Sequence, residues 1–256
     1  TGEQVIATNL DTIFVILALD QGFNLRRLER YLVTVRDSGA TPVIVLNKSD
    51  LVDDIQDKRA QVTAIAPDVT LVQTSAITGH GLEGLAALLK PAATYAFIGA
   101  SGAGRSSLIN HLTGEELFKT APGRGDDSKG GHPTRRRQLL RLPGGALLID
   151  TPGMRELQPW QAGQGRDETF SDIVELADQC RFPDCTHTHE KGCAVLRAVK
   201  DGALSKGRYK NYLTVTRELA DTGQKLNQQS RQEVKRKEKE LQRARRRSRN
   251  AEYELD

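Results

Sequence analysis

The chain has 256 residues, of which 38% are hydrophobic and 27% charged, a composition typical of soluble proteins with one or two domains. Its longest strongly apolar run, Ile13 to Leu19, has seven residues, far fewer than the roughly 20 that a membrane-spanning helix needs. The first residues show no signal-peptide pattern. We therefore expect a cytoplasmic protein with no membrane partner, and we exclude a small disulfide-stapled fold.

Charge is distributed unevenly along the sequence. The formal net charge is +4, but residues 231–250 contain ten Lys or Arg and three Asp or Glu, which gives this segment +7 and the rest of the chain −3. A near-neutral body with a basic tail predicts an anionic partner, and a nucleic acid fits best. A solvated tail that remains disordered is the alternative.

The first half of the sequence alternates short apolar runs with segments of helical spacing. Strands are predicted at 12–19, 42–46, 69–72 and 95–98, and helices at 25–35, 82–89 and 107–112. Two further strands, 138–142 and 146–149, are predicted to form a hairpin. Strands that alternate with helices predict an α/β fold with a mostly parallel sheet and helices on both of its faces.

The character of the sequence changes near residue 160. Beyond it, short helical patterns surround a cluster of Cys and His residues, and a long polar stretch closes the chain. We therefore predict an α/β domain at 1–160, a small α-helical metal-binding domain at 161–226, and a basic helix or tail at 227–256.

A glycine-rich loop follows the fourth predicted strand and opens the third predicted helix. Its sequence is Gly99-Ala100-Ser101-Gly102-Ala103-Gly104-Arg105-Ser106, followed by Ser107. The glycines let backbone N–H groups surround a phosphate, the helix N-terminus adds positive charge, and the Ser106 hydroxyl can bind Mg²⁺. Arg105 stands where this pattern has Lys, and it keeps the charge on a broader planar group. A glycine-rich turn without a ligand is the alternative.

A second motif indicates recognition of guanine. Asn47-Lys48-Ser49-Asp50 directly follows the second predicted strand. An ionised Asp50 only accepts hydrogen bonds, so it suits the adjacent N1–H and 2-amino donors of guanine, which adenine lacks. We expect Asn47 to fix the loop and face O6 of the base, and the Lys48 stem to cover the base. Four residues alone are weak evidence, because this pattern also arises by chance.

Weaker elements complete the predicted nucleotide site. Ser75 and Ala76, after the third strand, resemble the segment that contacts the base through backbone N–H groups. Asp150 ends the hairpin and is expected to hold Mg²⁺ through water, with the Gly153 N–H facing the γ-phosphate. Thr134 lies in the preceding loop, where a second Mg²⁺-binding hydroxyl is expected. A plain Asp-capped turn is the alternative for the Asp150 segment.

Four soft ligands lie within fourteen residues: Cys180, Cys185, His187 and Cys193. Three thiolates and one imidazole suit a tetrahedral Zn²⁺, and four protein ligands leave no open position for catalysis. The odd number of cysteines argues for reduced thiols rather than a disulfide framework. Free cysteines beside a surface histidine are the alternative, and His189 is the alternative imidazole.

The order of the motifs is circularly permuted relative to the usual GTPase order. The base-reading segment, residues 47–50, comes first. The phosphate loop, residues 99–106, follows it, and Asp150, the expected magnesium ligand, comes last. This order, with a cysteine cluster directly after it, resembles the bacterial family of GTPases that depend on the small ribosomal subunit. The resemblance runs from about Val5 to about Tyr212 and includes the segment from Phe23 to Leu32.

The resemblance implies roles for several residues. It implies that the three cysteines and His187 are zinc ligands. Many GTPases place a Gln after the Asp-x-x-Gly motif to orient water, whereas this chain has Met154. The resemblance implies a hydrophobic residue there and a catalytic histidine in the loop, which corresponds to His132. A solvated loop histidine is the alternative for His132.

The resemblance also implies a function. We expect a monomer that hydrolyses GTP to GDP and phosphate with Mg²⁺ and one structural Zn²⁺, with Arg105 and His132 in catalysis. Its expected role is late maturation of the small ribosomal subunit, with contact to ribosomal RNA. The alternative is a nucleotide-gated RNA-binding switch with little hydrolysis, because Arg105 replaces Lys. The family usually carries an N-terminal β-barrel of the OB type, and this sequence begins beyond it.

Overall fold

The computed structural model describes residues 9–118, 138–150 and 163–224, together with isolated helical positions at 228, 232, 235 and 236. The strands are β1 Thr12–Ala18, β2 Thr41–Asn47, β3 Thr70–Gln73, β4 Thr94–Gly99, β5 Gln138–Arg141 and β6 Leu147–Asp150. The helices are α1 Leu25–Asp37, α2 Gln56–Ile65, α3 Leu82–Ala87, α4 Arg105–Thr113, α5 Gln164–Thr169, α6 Ser171–Ala177 and α7 Ala194–Lys200. An eighth helix, α8, occupies 206–224.

The six strands form one sheet in the order β3-β2-β1-β4-β6-β5. Every neighbouring pair is parallel except β5 and β6, which form an antiparallel hairpin. The central strands β1, β2 and β4 are buried over most of their length, as their continuous apolar runs require. The predicted α/β class and mostly parallel sheet are therefore confirmed.

Helices cover both faces of the sheet. One face packs on α1 and α2 through a core that includes Leu28, Leu32 and Val62. The opposite face packs on α3 and α4 through Leu85 and Leu108. Helix α2 is not evident from the sequence, because Val62 is its only buried residue and the helix has no continuous apolar stripe.

The C-terminal helical region, residues 163–224, has its own apolar core, and that core includes a residue of α1. Val33 of α1 is fully buried in the same cluster as Phe170, Ile173, Val195 and other residues of the helical region. Helix α1 therefore packs on the sheet through one side and on the helical region through another. None of the described helices combines the length and apolar character needed to cross a bilayer.

A buried polar network joins α1 to α8. Arg208 donates from Nη1 to Glu29 (2.7 Å) and binds both carboxylate oxygens of Asp172 through Nε (2.8 Å) and Nη2 (2.7 Å). Asn211 donates to the second oxygen of Glu29 and to the carbonyl of Arg26. Glu29 is 2% exposed. Burial raises its pKa, although Asn211 and Arg208 act to lower it. This network fixes how the helical region sits on α1.

Candidate nucleotide site and metal centre

The sequence motifs meet at one edge of the sheet. Strands β1, β2, β3, β4 and β6 run parallel, so their carboxyl ends share that edge. Strands β2 and β3 lie on one side of β1, whereas β4 and β6 lie on the other. The chain thus changes its winding direction between β1 and β4. Ligands of open α/β sheets bind in the crevice at such a point.

The phosphate loop connects β4 to α4. Gly99 ends β4 so close to β1 that an added Cβ would lie 2.5 Å from the carbonyl oxygen of Ile16. Gly104 has a φ of 93°, a left-handed conformation that favours glycine. Arg105, Ser106 and Ser107 form the first turn of α4. The first N–H groups of a helix have no partner within it, so those of Ser106 and Ser107 can donate to a phosphate.

Asn47 connects the two motifs. Its side chain is 1% exposed at the end of β2. Its Nδ2 donates to the carbonyl of Ala103 in the phosphate loop (2.8 Å), and its Oδ1 accepts from the hydroxyl of Thr74 (3.1 Å). A Cβ at Gly104 would stand 2.2 Å from the same Nδ2. Asn47 therefore fixes the loops from within the protein. Its contact with O6 of a base stays a prediction.

The segment after Asn47 lies at the carboxyl ends of the parallel strands. Asp50 is exposed and accepts a hydrogen bond from the Ser75 hydroxyl. The Ser49 N–H donates to the carbonyl of Thr74 (3.1 Å), so the 47–50 and 74–76 segments lie side by side. Among the described residues, none accepts a hydrogen bond from the N–H of Ala76, which leaves it available to a ligand.

Lys48 has a partner that the sequence analysis missed. Its Nζ lies 2.8 Å from Oδ2 of Asp20, and Oδ1 of Asp20 accepts from the N–H of Gly22 (2.7 Å). Lys48 itself has a left-handed φ of 64°. The signal for Asp20 was available, because it comes two residues after the end of the buried parallel strand β1, where site residues of α/β proteins gather.

The structure brings some of the predicted magnesium ligands near the phosphate loop. Ser106 lies in the first turn of α4. Asp150 ends β6, which pairs with β4, so its backbone stands beside the strand that carries the phosphate loop. Three other predicted site residues, His132, Thr134 and Gly153, lie outside the described residues, as does Met154.

The four predicted metal ligands form a compact cluster. The Sγ of Cys180 lies 3.8 Å from that of Cys193, and the Nδ1 of His187 lies 3.6 Å and 3.5 Å from these two sulfurs. All four donor atoms, including that of Cys185, lie within 4.8 Å of one another. A tetrahedral ion with bonds of about 2.3 Å to sulfur and about 2.0 Å to nitrogen separates its ligands by roughly 3.5–3.8 Å. The cluster therefore fits a four-coordinate metal, and the three cysteines are free thiols.

The electrostatics of the cluster favour a cation. Desolvation, together with the neighbouring Cys193 and Cys180 sulfurs, raises the pKa of Cys185 to about 12. Desolvation also acts to raise the pKa of Cys180, but backbone N–H groups, that of Ala194 first, bring it below its usual value. Burial lowers the pKa of His187, although Glu190 acts to raise it, and the lower pKa favours the neutral imidazole that a metal ligand requires. Three thiolates cannot coexist here without a compensating positive charge.

Two residues outside the ligand set hold the His187 turn, and the sequence analysis missed both. Glu190 accepts hydrogen bonds from the N–H groups of Thr186 (3.0 Å) and Thr188 (3.0 Å), which flank His187. Tyr209 of α8 donates to the carbonyl of His187 (2.7 Å). Glu190 lies between two ligands, but neither its partners nor those of Tyr209 follow from spacing alone. His189, the alternative ligand, is exposed and outside the cluster.

These features define a class of protein. A mostly parallel sheet carries the phosphate loop where the winding direction changes, between β1 and β4. The segment 47–50 precedes that loop in the sequence. The arrangement is that of a circularly permuted P-loop GTPase fold, followed by helices that hold a Cys₃His cluster.

Comparisons with known proteins narrow this class to a family. A family model described as RsgA GTPase matches residues 1–160, and one described as 50S ribosome-binding GTPase matches residues 94–234. A relative from Opitutus terrae, named small ribosomal subunit biogenesis GTPase RsgA, is 49% identical over 226 residues, which are 88% of this chain and 62% of the relative. The chain belongs to the RsgA GTPase family.

Two solved structures share the fold. YjeQ from Thermotoga maritima is 29% identical with a TM-score of 0.59, and the match covers 83% of this chain and 72% of that chain. YloQ, described as a circularly permuted GTPase, is 29% identical with a TM-score of 0.56, and the match covers 83% and 69%. The chain spans 62% and 59% of the length of two curated relatives that it matches.

Proposed function

We propose that this chain binds GTP with Mg²⁺ and hydrolyses it to GDP and phosphate. The hydrogen bonds of Asn47 to Ala103 and Thr74 carry this proposal, because they join the phosphate loop to both base-reading segments. Such a junction sets a fixed distance between a base and its phosphates. Fixed positioning of the phosphates, with charge neutralisation, supplies most of the catalysis in phosphoryl transfer.

In this proposal, each part of the site has one task. Backbone N–H groups of the phosphate loop, among them those of Ser106 and Ser107, would surround the phosphates, and Arg105 would neutralise their developing charge. Ser106, Thr134 and Asp150 would hold Mg²⁺, which would supply positive charge that polarises the phosphates. The Gly153 N–H would face the γ-phosphate.

The family resemblance implies that a loop histidine positions the attacking water, and we propose His132 for this role; Met154, at the position where many GTPases have Gln, carries no group that can orient water. Replacing His132 with Ala is expected to slow GTP turnover at least tenfold while GTP affinity stays unchanged. Equal turnover in the two proteins would remove His132 from the mechanism.

Asp50 would select guanine. Its carboxylate is exposed and held by Ser75, so it can accept from two adjacent donors. The test is Asp50→Asn, which is expected to weaken GTP roughly a hundredfold or more. The same variant should gain affinity for xanthosine triphosphate, which carries an acceptor where guanine has its amino group. An equal loss for both nucleotides would mean that Asp50 supports the loop and does not read the base.

We propose Zn²⁺ as the ion of the Cys₃His cluster, in a structural role. The donor spacing and the three sulfur ligands support zinc, and a site with four protein ligands has no position for a substrate. We further propose the organisation predicted from the sequence, with a GTPase domain at 1–160, a helical zinc-binding domain at 161–226 and a basic tail at 227–256.

We propose the small ribosomal subunit, including its RNA, as the partner, with a role in late maturation of that subunit in the cytoplasm and a monomeric state. The relative from Opitutus terrae is named for the small subunit, whereas one matching family model is named for the 50S subunit. The basic segment 231–250 supports an RNA partner of either kind.

The deciding experiment measures GTP turnover by this chain under three conditions: without ribosomal subunits, with purified small subunits and with purified large subunits. We expect stimulation by the small subunit and none by the large one. Stimulation by the large subunit alone would overturn the choice of partner. GTP binding without turnover under any condition would overturn the enzymatic proposal.

Arg105 favours one alternative, a nucleotide-gated RNA-binding switch with little hydrolysis. A guanidinium is broader than an ammonium and reaches phosphates in a different geometry. The matched variant is Arg105→Lys. If the native chain does not hydrolyse GTP with small subunits and the Arg105→Lys variant does, the alternative function as an RNA-binding switch is correct. Equal stimulation of both proteins would exclude it.

A further inference from the structure

Helix α8 carries a row of cations on one side. Lys206 and Lys210 are one turn apart, and Arg217 lies about two turns further on the same side. All three side chains are exposed. At about 1.5 Å per residue the row is about 16 Å long, a length that several phosphates of one nucleic-acid strand would cover. Asp221, one turn beyond Arg217, ends the row.

Arg26 extends this row across the junction with α1. A Cβ added at Gly207 would stand 3.6 Å from Nη2 of Arg26, so the guanidinium lies over the first turn of α8, which also contains Lys206. Asn211 donates to the carbonyl of Arg26 (3.2 Å) and holds the two helices in this register. Arg26, Lys206, Lys210 and Arg217 form what we call the cationic row.

Among the residues that the structure describes, the cations of the row form no ion pair. Within the described ranges, none of the four lies within salt-bridge distance of a carboxylate. The cations next to them differ, because Arg208 pairs with Glu29 and Asp172, and Arg30 pairs with Glu218. The first turn of α1 also has no acidic residue, so Arg26 adds to the positive end of the helix dipole, which costs stability.

We propose that the cationic row binds the sugar-phosphate backbone of RNA. Its charge contrasts with that of residues 49–68, which contain five Asp and two Lys or Arg. The described helical positions beyond α8 are exposed, and three of them, including Lys235, lie within the basic segment 231–250. Cations that neutralise phosphates release counterions, and this makes the affinity depend on salt. The row therefore begins the RNA-binding surface within the folded part of the chain, before the tail.

This inference rests on the proposed function, since the RNA is that of the proposed ribosomal partner. The test uses the full chain and the double variant Lys206→Ala/Lys210→Ala. The matched control is Lys90→Ala/Arg141→Ala, which removes two exposed cations that no described residue pairs. Binding is measured by anisotropy with a fluorescent RNA hairpin and by co-sedimentation with small subunits, between about 50 and 200 mM salt.

We expect the double variant to bind the hairpin roughly five- to tenfold more weakly than the native chain. The slope of log affinity against log salt should fall by about one for each lysine removed. The control should match the native chain, and turnover of GTP without ribosomes should be the same in all three proteins. Arg26→Ala should reduce the slope by about one further unit.

The possible failures are distinguishable. If the double variant binds the hairpin with unchanged affinity and unchanged salt dependence, the proposal that the cationic row binds RNA is overturned. Weaker binding to subunits with unchanged binding to the hairpin would mean that the row contacts a ribosomal protein, and this would also overturn it. If the native chain does not bind small subunits at all, the proposed function fails, and the hairpin series still tests the row.

Discussion

The nucleotide site and the metal centre are assembled in opposite ways. The nucleotide site collects residues from the ends of β1, β2, β3 and β4, up to about 80 positions apart, and its side chains are already bonded to one another. The metal centre collects four ligands from fourteen consecutive residues, and its thiols face one another. The fold positions the side chains of the first site through hydrogen bonds among them, whereas the thiols of the second site would need the proposed ion to hold them together.

Helix α1 connects these two regions. It begins five residues after Asp20, the partner of Lys48, and it carries Glu29, the partner of Arg208. Its Val33 belongs to the core of the helical region. If the contrast between the two sites is correct, damage at the metal centre should spread to the helical region and stop at α1.

Loss of the metal is expected to have the largest effect. In Cys193→Ser the ligand set is incomplete, and structural zinc sites contribute about 10–16 kcal/mol in small domains. Hydrogen exchange should show that α5 to α8 lose amide protection, whereas β1, β2 and β4 keep theirs. His189→Ala is the control, because its imidazole lies outside the cluster. Full amide protection of α7 in a metal-free protein would show that the helical region does not depend on an ion.

Breaking the contact between α1 and α8 should have the next largest effect. Arg208→Ala leaves Glu29 buried without its cation, and such a change costs about 3–5 kcal/mol. Arg30→Ala is the control, since its pair with Glu218 is about a third exposed and should contribute no more than about 1 kcal/mol. Urea unfolding of both variants measures the difference. Similar losses in the two would show that burial of Glu29 does not matter.

Within the nucleotide site, Asn47→Ala should reduce both stability and nucleotide affinity. The change leaves the carbonyl of Ala103 and the hydroxyl of Thr74 without partners, at a cost of about 1–3 kcal/mol. Asn110 offers a matched control, because its amide makes two hydrogen bonds to Phe118 near the far end of α4. Asn110→Ala should lose similar stability in thermal unfolding and retain its GDP affinity in calorimetry. Equal GDP affinities in the two variants would be evidence that the hydrogen bonds of Asn47 do not position the nucleotide.

The smallest effect is expected at Asp20. Its pair with Lys48 is about a third exposed, so Asp20→Asn should change the free energy of unfolding by no more than about 1 kcal/mol. GTP affinity should fall a few-fold, because Lys48 loses the partner that holds it beside the base site. Asp68→Asn, which removes the partner of Arg36 far from the motifs, is the control for both measurements. A large loss of stability in Asp20→Asn would show that this loop holds the fold together.

The sequence predicted the sheet well because its strands are buried on both faces. Long apolar runs such as Thr12–Ala18 and Thr41–Asn47 have few other ways to bury their side chains. Helix α2 was not predicted because it contributes one buried residue and therefore has no readable stripe. The Cys₃His cluster was predicted because its ligands are close in the sequence and chemically distinctive.

By itself, the sequence determined the fold class, the motifs and the ligand types, because these depend on local composition and spacing. Only the tertiary structure decided which groups pair across the molecule. Asn47 bonds to a loop 56 positions away, and Arg208 bonds to a carboxylate 179 positions away. Such partners are set by the strand order and by how α8 packs on α1. Many distant polar residues have the same chemistry, so residue type alone does not single out the partner.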